Sequence, residues 1–323
     1  MLRFVLLRLA SMLFVLFSIS VLVFLIFFAT PGVDPAARIA GRNADQATLE
    51  AVRKDFGLDK PWPVQYGVMM KKLFITRDLT SFVNRGALVI PQVIEAAPVT
   101  ISLVLGAAVI WVLFSIGIGL LAAVMRGSPV DTGLMILGLI GISMPVFWLG
   151  EVVNLVSQSR FHDTIFFSWV PPLGYVPLTE SPIGWFKSLL LPWLTLSVLY
   201  IGLYARVLRS NLIESQEEDY VRTARAKGLT EQRVMLRHSL RTSMITYVSL
   251  FGLDFGALVG GAALLTEVVF GLHGVGKLTY DSLQNFDLPV IMATVMYAAF
   301  FVVFVNAIVD ILYAWLDPRV RVA

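Results

Sequence analysis

Apolar residues fall in long, nearly unbroken runs rather than in short alternating stretches. Six runs approach or reach the roughly 20 residues that a helix needs to cross about 30 Å of hydrocarbon. They cover 9–30, 98–125, 132–156, 188–205, 244–266 and 288–309. Lipid offers the backbone no hydrogen-bond partner, so each run predicts a helix. The expected fold is an all-α membrane bundle of six transmembrane helices. Residues 1–30 form the first span and 31–97 an outer, extracytoplasmic loop. Residues 98–323 form a core with the other five spans, interrupted by a polar loop at 207–243. Within the outer loop, 45–56 reads as an amphipathic helix with Leu49, Val52 and Phe56 on one side and Gly57 after it. Pro61 and Pro63 then break the chain, and 64–74 predicts a second helix.

Composition sharpens this picture. The chain of 323 residues is 57% hydrophobic and 15% charged, with a mean hydropathy of +0.80. Soluble domains carry about 25% charged residues, so the chain is a multi-pass membrane protein in contact with the lipid bilayer. A net charge of +3 gives no reason to expect a nucleic acid partner. The placement of charge is more informative. Arg3, Arg8, Arg126, Arg206, Arg209, Arg222, Arg225, Lys227, Arg233, Arg237, Arg241, Arg319 and Arg321 fall on one side of the expected topology, and only Arg160, Lys187 and Lys277 in the short loops of the other. That is 13 cations against 3, which directs both termini to the cytoplasm. The long first loop holds the other nine, but long loops translocate largely regardless of charge. A cleaved leader is a rival reading of the first run. The run is long for a leader and Ala29-Thr30-Pro31 makes a poor cleavage site, so an uncleaved helix is expected. The chain has no cysteine and therefore no disulfide or thiolate site of its own.

The polar loop carries the most specific signal. Ser215 followed by Glu218 has the spacing of a capping box. Glu217, Glu218 and Asp219 then fall in a first turn and Arg225 and Lys227 in a last turn, which complements a helix dipole. Gly228 can take the left-handed conformation that ends a helix. Tyr220, Ala224 and Gly228 recur every four residues, which suggests a side small enough for close approach. Asp219 to Leu229, DYVRTARAKGL, resembles the cytoplasmic "EAA" loop of ABC importer membrane subunits, and most of all their dipeptide/oligopeptide/nickel permease family. The general pattern is Glu-Ala-Ala, three residues, then Gly. Here Arg222, Thr223 and Ala224 hold the first three positions and Gly228 the last, so the first two depart from the general form and fit the peptide branch. Similar likenesses occur at 57–66, 143–150, 267–276 and 312–321.

The resemblance implies a coupling helix that sits in a groove of an ATPase subunit, built from Asp219, Tyr220, Arg222, Thr223, Ala224, Arg225, Lys227 and Gly228. It further implies a second homologous permease, two cytoplasmic ATP-binding subunits, an extracytoplasmic substrate-binding protein and a bacterial cytoplasmic (inner) membrane location. ATP and magnesium belong to the partner subunits, so no cofactor, metal or catalytic residue is expected in this chain. Peptides lead as substrate. Nickel chelates, glutathione and oligosaccharides are alternatives, and an ATP-independent secondary transporter or channel is the rival from another class. Such transporters usually show inverted repeats and intramembrane charge relays, and neither is visible here.

Several residues inside the runs have open roles. Pro145 should kink the third span. Gly252, Gly256 and Gly260 make a groove for a neighbouring helix, as a permease needs where two membrane subunits meet. Asp254 lies midway along the fifth run, where a carboxylate needs a partner or water. It lines the pathway, or it is hydrogen-bonded within the bundle. Glu267, near the end of that run, has the same two readings. Residues 271–277 fit most of a P-loop, but Leu278 replaces the magnesium-binding Ser or Thr, and nucleotide binding is not expected.

Overall fold

A computed structural model describes residues 2–28, 36–37, 45–84 and 86–316. Residues 29–31 and 317–321, which include the possible cleavage site and part of the C-terminal likeness, lie outside them. The described residues are almost entirely helical, with one isolated antiparallel bridge between Thr80 and Leu88. Five helices are long and apolar enough to cross a membrane, and a bent pair brings the number to six if it is one span.

The first span is α1 (Leu2–Phe28). Two short helices follow, α2 (Gln46–Phe56) and α3 (Trp62–Lys71), the latter prolonged by a π-helical turn, Lys72–Thr76. Pro61 caps α3 in an extended conformation and Pro63 occupies its first turn, where no amide is needed. The helix α4 (Val89–Val124) starts before Pro98, so the end of the expected 31–97 loop belongs to it. An interior proline costs about 3 kcal/mol. Close packing of Val89, Val93 and Ala96 on that leading segment works against this cost.

The third span is not the kinked helix expected from Pro145. It is two helices, α5 (Pro129–Ser143) and α6 (Val146–Asn154), meeting at 91°. Met144 and Pro145 are both extended, with ψ of 125° and 128°. A residue before proline avoids the helical region, and proline has no amide to continue the ladder. A single helix α7 (Pro182–Gln216) runs past the expected 188–205 span and takes 207–216 from the expected polar loop. The remaining polar segment holds α8 (Asp219–Ala226) and α9 (Glu231–Val234). From α9 a continuous helical run leads through a π turn into α10 (Leu240–Ala257) and stops at a second π turn, Leu258–Ala262. Gly261 ends it, at φ +113°, a conformation strained for any side chain. The expected 244–266 span is therefore cut at 262. Beyond it lie α11 (Leu264–Val269), α12 (Val275–Gln284) and α13 (Leu288–Leu316).

The bundle is centred on α4, α7 and α10. Trp111 and Leu103 of α4, Tyr204 and Leu208 of α7 and Tyr247 of α10 are buried together. Close approach makes this possible. A Cβ on Gly106 would meet the Trp193 ring, and Trp193 Nε1 donates to the Ser102 carbonyl at 2.9 Å. Gly138 of α5 and Gly202 of α7 cross backbone to backbone: a Cβ on Gly202 would lie 2.3 Å from the Gly138 oxygen. The expected Gly252, Gly256 and Gly260 groove exists, and the helix seated in it is this chain's own α13, through Val309, Val302 and Ala298. At the other end of α13, buried Asp287 accepts from the Phe82 amide at 3.0 Å and from the Ser81 hydroxyl. The segment ahead of α4 is thereby pinned to the bundle.

The Gly138–Gly202 crossing makes a direct prediction. Gly202→Ala forces two backbones apart, an overpacking cost of about 1–3 kcal/mol. Its thermal unfolding in detergent should fall by several degrees, whereas Gly117→Ala, whose added Cβ meets nothing, should unfold with the wild type.

Candidate functional site

The polar segment between α7 and α10 is the candidate site. Its helix does not start at a capping box. Ser215 is still inside α7, where its hydroxyl pairs with Tyr220 Oη at 2.6 Å. Glu218 holds the N-cap position without a side-chain cap. Continuation of α7 through Gln216 leaves Ser215 no free helix start to cap. The rest of the end chemistry is present. Asp219 lies in the first turn and Arg225 in the last. Gly228 is left-handed at φ +78°, and the Leu229 amide reaches the Ala224 carbonyl at 3.4 Å to close the helix.

The small face predicted from Tyr220, Ala224 and Gly228 is not one open surface. Tyr220 and Gly228 are exposed, but Ala224 is only 5% exposed. It packs with Val221 against Val234 and Leu229. Val221 and Ala224 are three apart and form the apolar stripe of a short, otherwise polar helix, so burial selects that side. The exposed side carries Arg222, Thr223, Ala226 and Lys227. Among the described residues Arg222 pairs with Asp219 alone, at 3.4 Å, and Thr223 Oγ1 donates to the Asp219 carbonyl.

Polar links fasten the segment to the membrane helices. Arg225 donates two hydrogen bonds to Glu231, at 2.8 and 3.1 Å, and a third to the Gln216 carbonyl at 3.3 Å. Tyr220 Oη donates to Thr242 of α10 at 3.2 Å. Arg209, late in α7, grips Asp131 of α5 through two bonds at 2.6 and 2.7 Å. Buried Asp131 also accepts from the Gly127 amide at 2.9 Å, and its own amide donates to Ser128, the α5 cap. A bidentate guanidinium–carboxylate pair fixes both position and angle. The Asp131–Arg209 link was not anticipated. Its trace in the sequence is Ser128-Pro129-Val130-Asp131, a helix-start pattern, but the partner is far away in the chain.

The two acidic residues of the fifth run sit apart from this segment and from each other. Asp254 accepts from Tyr204 Oη at 2.7 Å. Around it, Tyr204 packs edge-on to Tyr247 and Trp111 stacks on Tyr200 at 4.7 Å. Of the two roles open to Asp254, hydrogen bonding within the bundle is the one these contacts describe. Glu267 is fully buried. It accepts from Thr100 Oγ1 at 2.6 Å and from the Lys277 amide at 2.8 Å, while Thr100 accepts from the Val275 amide at 2.8 Å. Its carboxylate thus occupies the start of α12, the place where a phosphate would sit in the P-loop-like 271–277. Gly274 is required beside it, since a Cβ there would lie 2.3 Å from Glu267 Oε1. The Glu267–Thr100 pairing was also missed, because the two residues are 167 positions apart.

Residues 115–322 match the family described as binding-protein-dependent transport system inner membrane component, and residues 1–104 match its N-terminal part. A putative peptide transport system permease protein of Brucella abortus (strain 2308) is 39% identical over 97% of each chain. A probable peptide ABC transporter permease protein of Sinorhizobium fredii is 33% identical over 98% of this chain and 99% of its own. A glutathione transport system permease protein of Salmonella choleraesuis is 36% identical over 99% of each.

Removing the Glu267 carboxylate strands the Thr100 hydroxyl and the Lys277 amide, at about 1–3 kcal/mol for each buried group left unpaired. Glu267→Ala should therefore lower the denaturation midpoint in detergent well beyond Glu267→Gln, which keeps one acceptor. Equal midpoints for the two variants would remove the clamp role.

Proposed function

The chain belongs to the family of binding-protein-dependent transport system inner membrane components, and on that footing we propose that it is the membrane permease of an ATP-driven peptide importer. The observation that carries the substrate class is end-to-end similarity to relatives named for peptide transport, the first at 39% identity over 97% of the chain. Similarity to a glutathione permease at 36% supports glutathione as a second reading. In the proposed assembly this chain pairs with a second homologous permease in the bacterial inner membrane, with both termini in the cytoplasm. Two cytoplasmic subunits bind ATP and magnesium, and an extracytoplasmic protein delivers substrate. Hydrolysis takes place in those partners, and this chain converts it into motion.

The coupling segment has the construction that such a conversion needs. Exposed Arg222, Thr223, Ala226 and Lys227 present a polar, cationic side to a soluble partner, in place of the Ala224 side. A push on α8 is carried in three directions. The Arg225–Glu231 pair and the Val221–Ala224–Val234 contact take it to the α9–α10 run. The short link from Gln216 takes it into α7. The Arg209–Asp131 pair takes it across to α5. A rigid unit that reaches three membrane helices can turn a small displacement outside the bilayer into helix movement inside it.

Orientation is tested by single cysteines, which report cleanly in a chain that has none. Cysteine at Glu50 should react with an impermeant thiol reagent from outside intact cells, and cysteine at Gln232 only after the inner face is opened. The reverse pattern inverts the topology and removes the coupling assignment with it.

The coupling face is tested by contrast. Ala226 is exposed and Ala224 is buried. Ala226→Trp should yield a normally inserted protein that loses the ATPase subunit in detergent, with docking at least about tenfold weaker. ATP-dependent uptake of a labelled dipeptide into vesicles should fall to background. Ala224→Trp should instead disturb the chain's own packing and lower its abundance. Wild-type uptake by Ala226→Trp rules out this face, and dipeptide uptake that ignores ATP rules out the importer.

A further inference from the structure

A groove of about 470 Å³ opens between α1, α3 and α13, remote from the coupling segment. Its walls are apolar: Leu16 and Phe17 from α1, Met70 and Phe74 from α3 and its π turn, Ala293 and Met296 from α13. Of the hydroxyl-bearing residues that line it, Ser20 and Tyr66 satisfy each other at 2.6 Å, and the Tyr297 hydroxyl is buried with no hydrogen-bond partner among the described residues. Because α1 and α13 are both membrane spans, the groove flanks the hydrocarbon. A pocket of this size lies in the range that holds a small-molecule ligand.

The end of the groove has a different chemistry. Phe74 and Ile75 are 54% and 74% exposed, on a turn that also carries Lys71, Lys72 and Arg77. Exposed apolar side chains beside cations characterise a helix lying in the membrane interface, and exposed Trp62 at the other end of α3 agrees with that placement. One carboxylate, Asp78, shares the turn. A hydrogen bond from Thr76 holds its carboxyl below the usual range, so it is charged. Lys72 has a further partner of its own, and Lys71 and Arg77 against Asp78 still leave the turn with a cationic excess.

We propose that this groove binds an anionic glycerophospholipid, with one acyl chain between α1 and α13 and the headgroup phosphate on the Lys71–Arg77 turn. The apolar walls select the chain, and the excess of cations at the groove's end selects an anionic headgroup over a neutral one. The bound lipid fills the space that the first span leaves against the rest of the bundle.

The test uses the full chain in nanodiscs of equal parts phosphatidylcholine and phosphatidylglycerol, released into mild detergent for native mass spectrometry. The expected result is one retained phosphatidylglycerol per chain. The double variant Lys71→Glu, Arg77→Glu should lower the preference for phosphatidylglycerol about tenfold. Ala293→Phe should displace both lipids, and Leu13→Trp, at the groove's exposed mouth, serves if Ala293→Phe does not fold. Leu137→Trp, on the outer face of α5, should change nothing. Retention unaffected by the charge or the groove variants overturns the site. So does equal loss in Leu137→Trp, which marks the lipid as part of the general annulus. A groove variant that instead shifts a dimer to monomer gives the groove to a neighbouring chain and also overturns it.

Discussion

Helices immersed in hydrocarbon gain nothing from hiding apolar surface from one another, since lipid is as apolar as leucine. What holds them is fit: dispersion contacts over closely opposed surfaces, and polar links with no water to compete. The α4–α7 seam rests on such fit. Gly106 makes room there for the Trp193 ring, the Trp111, Tyr200 and Tyr204 rings cluster beside it, and Gly202 meets Gly138 where α7 crosses α5. The Gly252–Gly256–Gly260 stripe does the same for α13. These contacts position the long α7, and α7 carries the polar segment at its end.

The polar links sit where elements must be joined. Asp131–Arg209 ties the start of α5 to the far end of α7. Glu267 ties α11 and α12 to Thr100 of α4. Asp287 ties the segment before α4 to the start of α13. Each carboxyl group accepts more than one hydrogen bond, as a buried polar group requires. Asp254 is the most lightly held, by Tyr204 from one side. The elements of the bundle are therefore joined by a few directional contacts, which fix position and angle where aliphatic contacts alone would slip.

Hydropathy by itself located the apolar runs and their order, because the thickness of the bilayer imposes a length on any apolar run, and a count of six holds if α5 and α6 form one span. The DYVRTARAKGL segment pointed to the family that the whole-chain similarity shows, and marked the segment expected to meet a partner. Gly228 was legible as a helix stop, since its left-handed φ is a local property of the backbone. What stayed hidden depended on distant neighbours. Pro145 announces a disturbance, but only the surrounding packing decides between a bend and a 91° break. Ser215 and Glu218 have capping-box spacing, yet α7 continues past Ser215. The repeat of Tyr220, Ala224 and Gly228 describes one side of a helix without saying which side faces out. Val234 and Leu229 decided that by covering Ala224. Glu267 read as an acid near a span end, and only tertiary structure paired it with Thr100, as it paired Asp131 with Arg209. Local geometry and bilayer thickness act through nearest neighbours along the chain, whereas burial and partner choice are properties of the folded bundle.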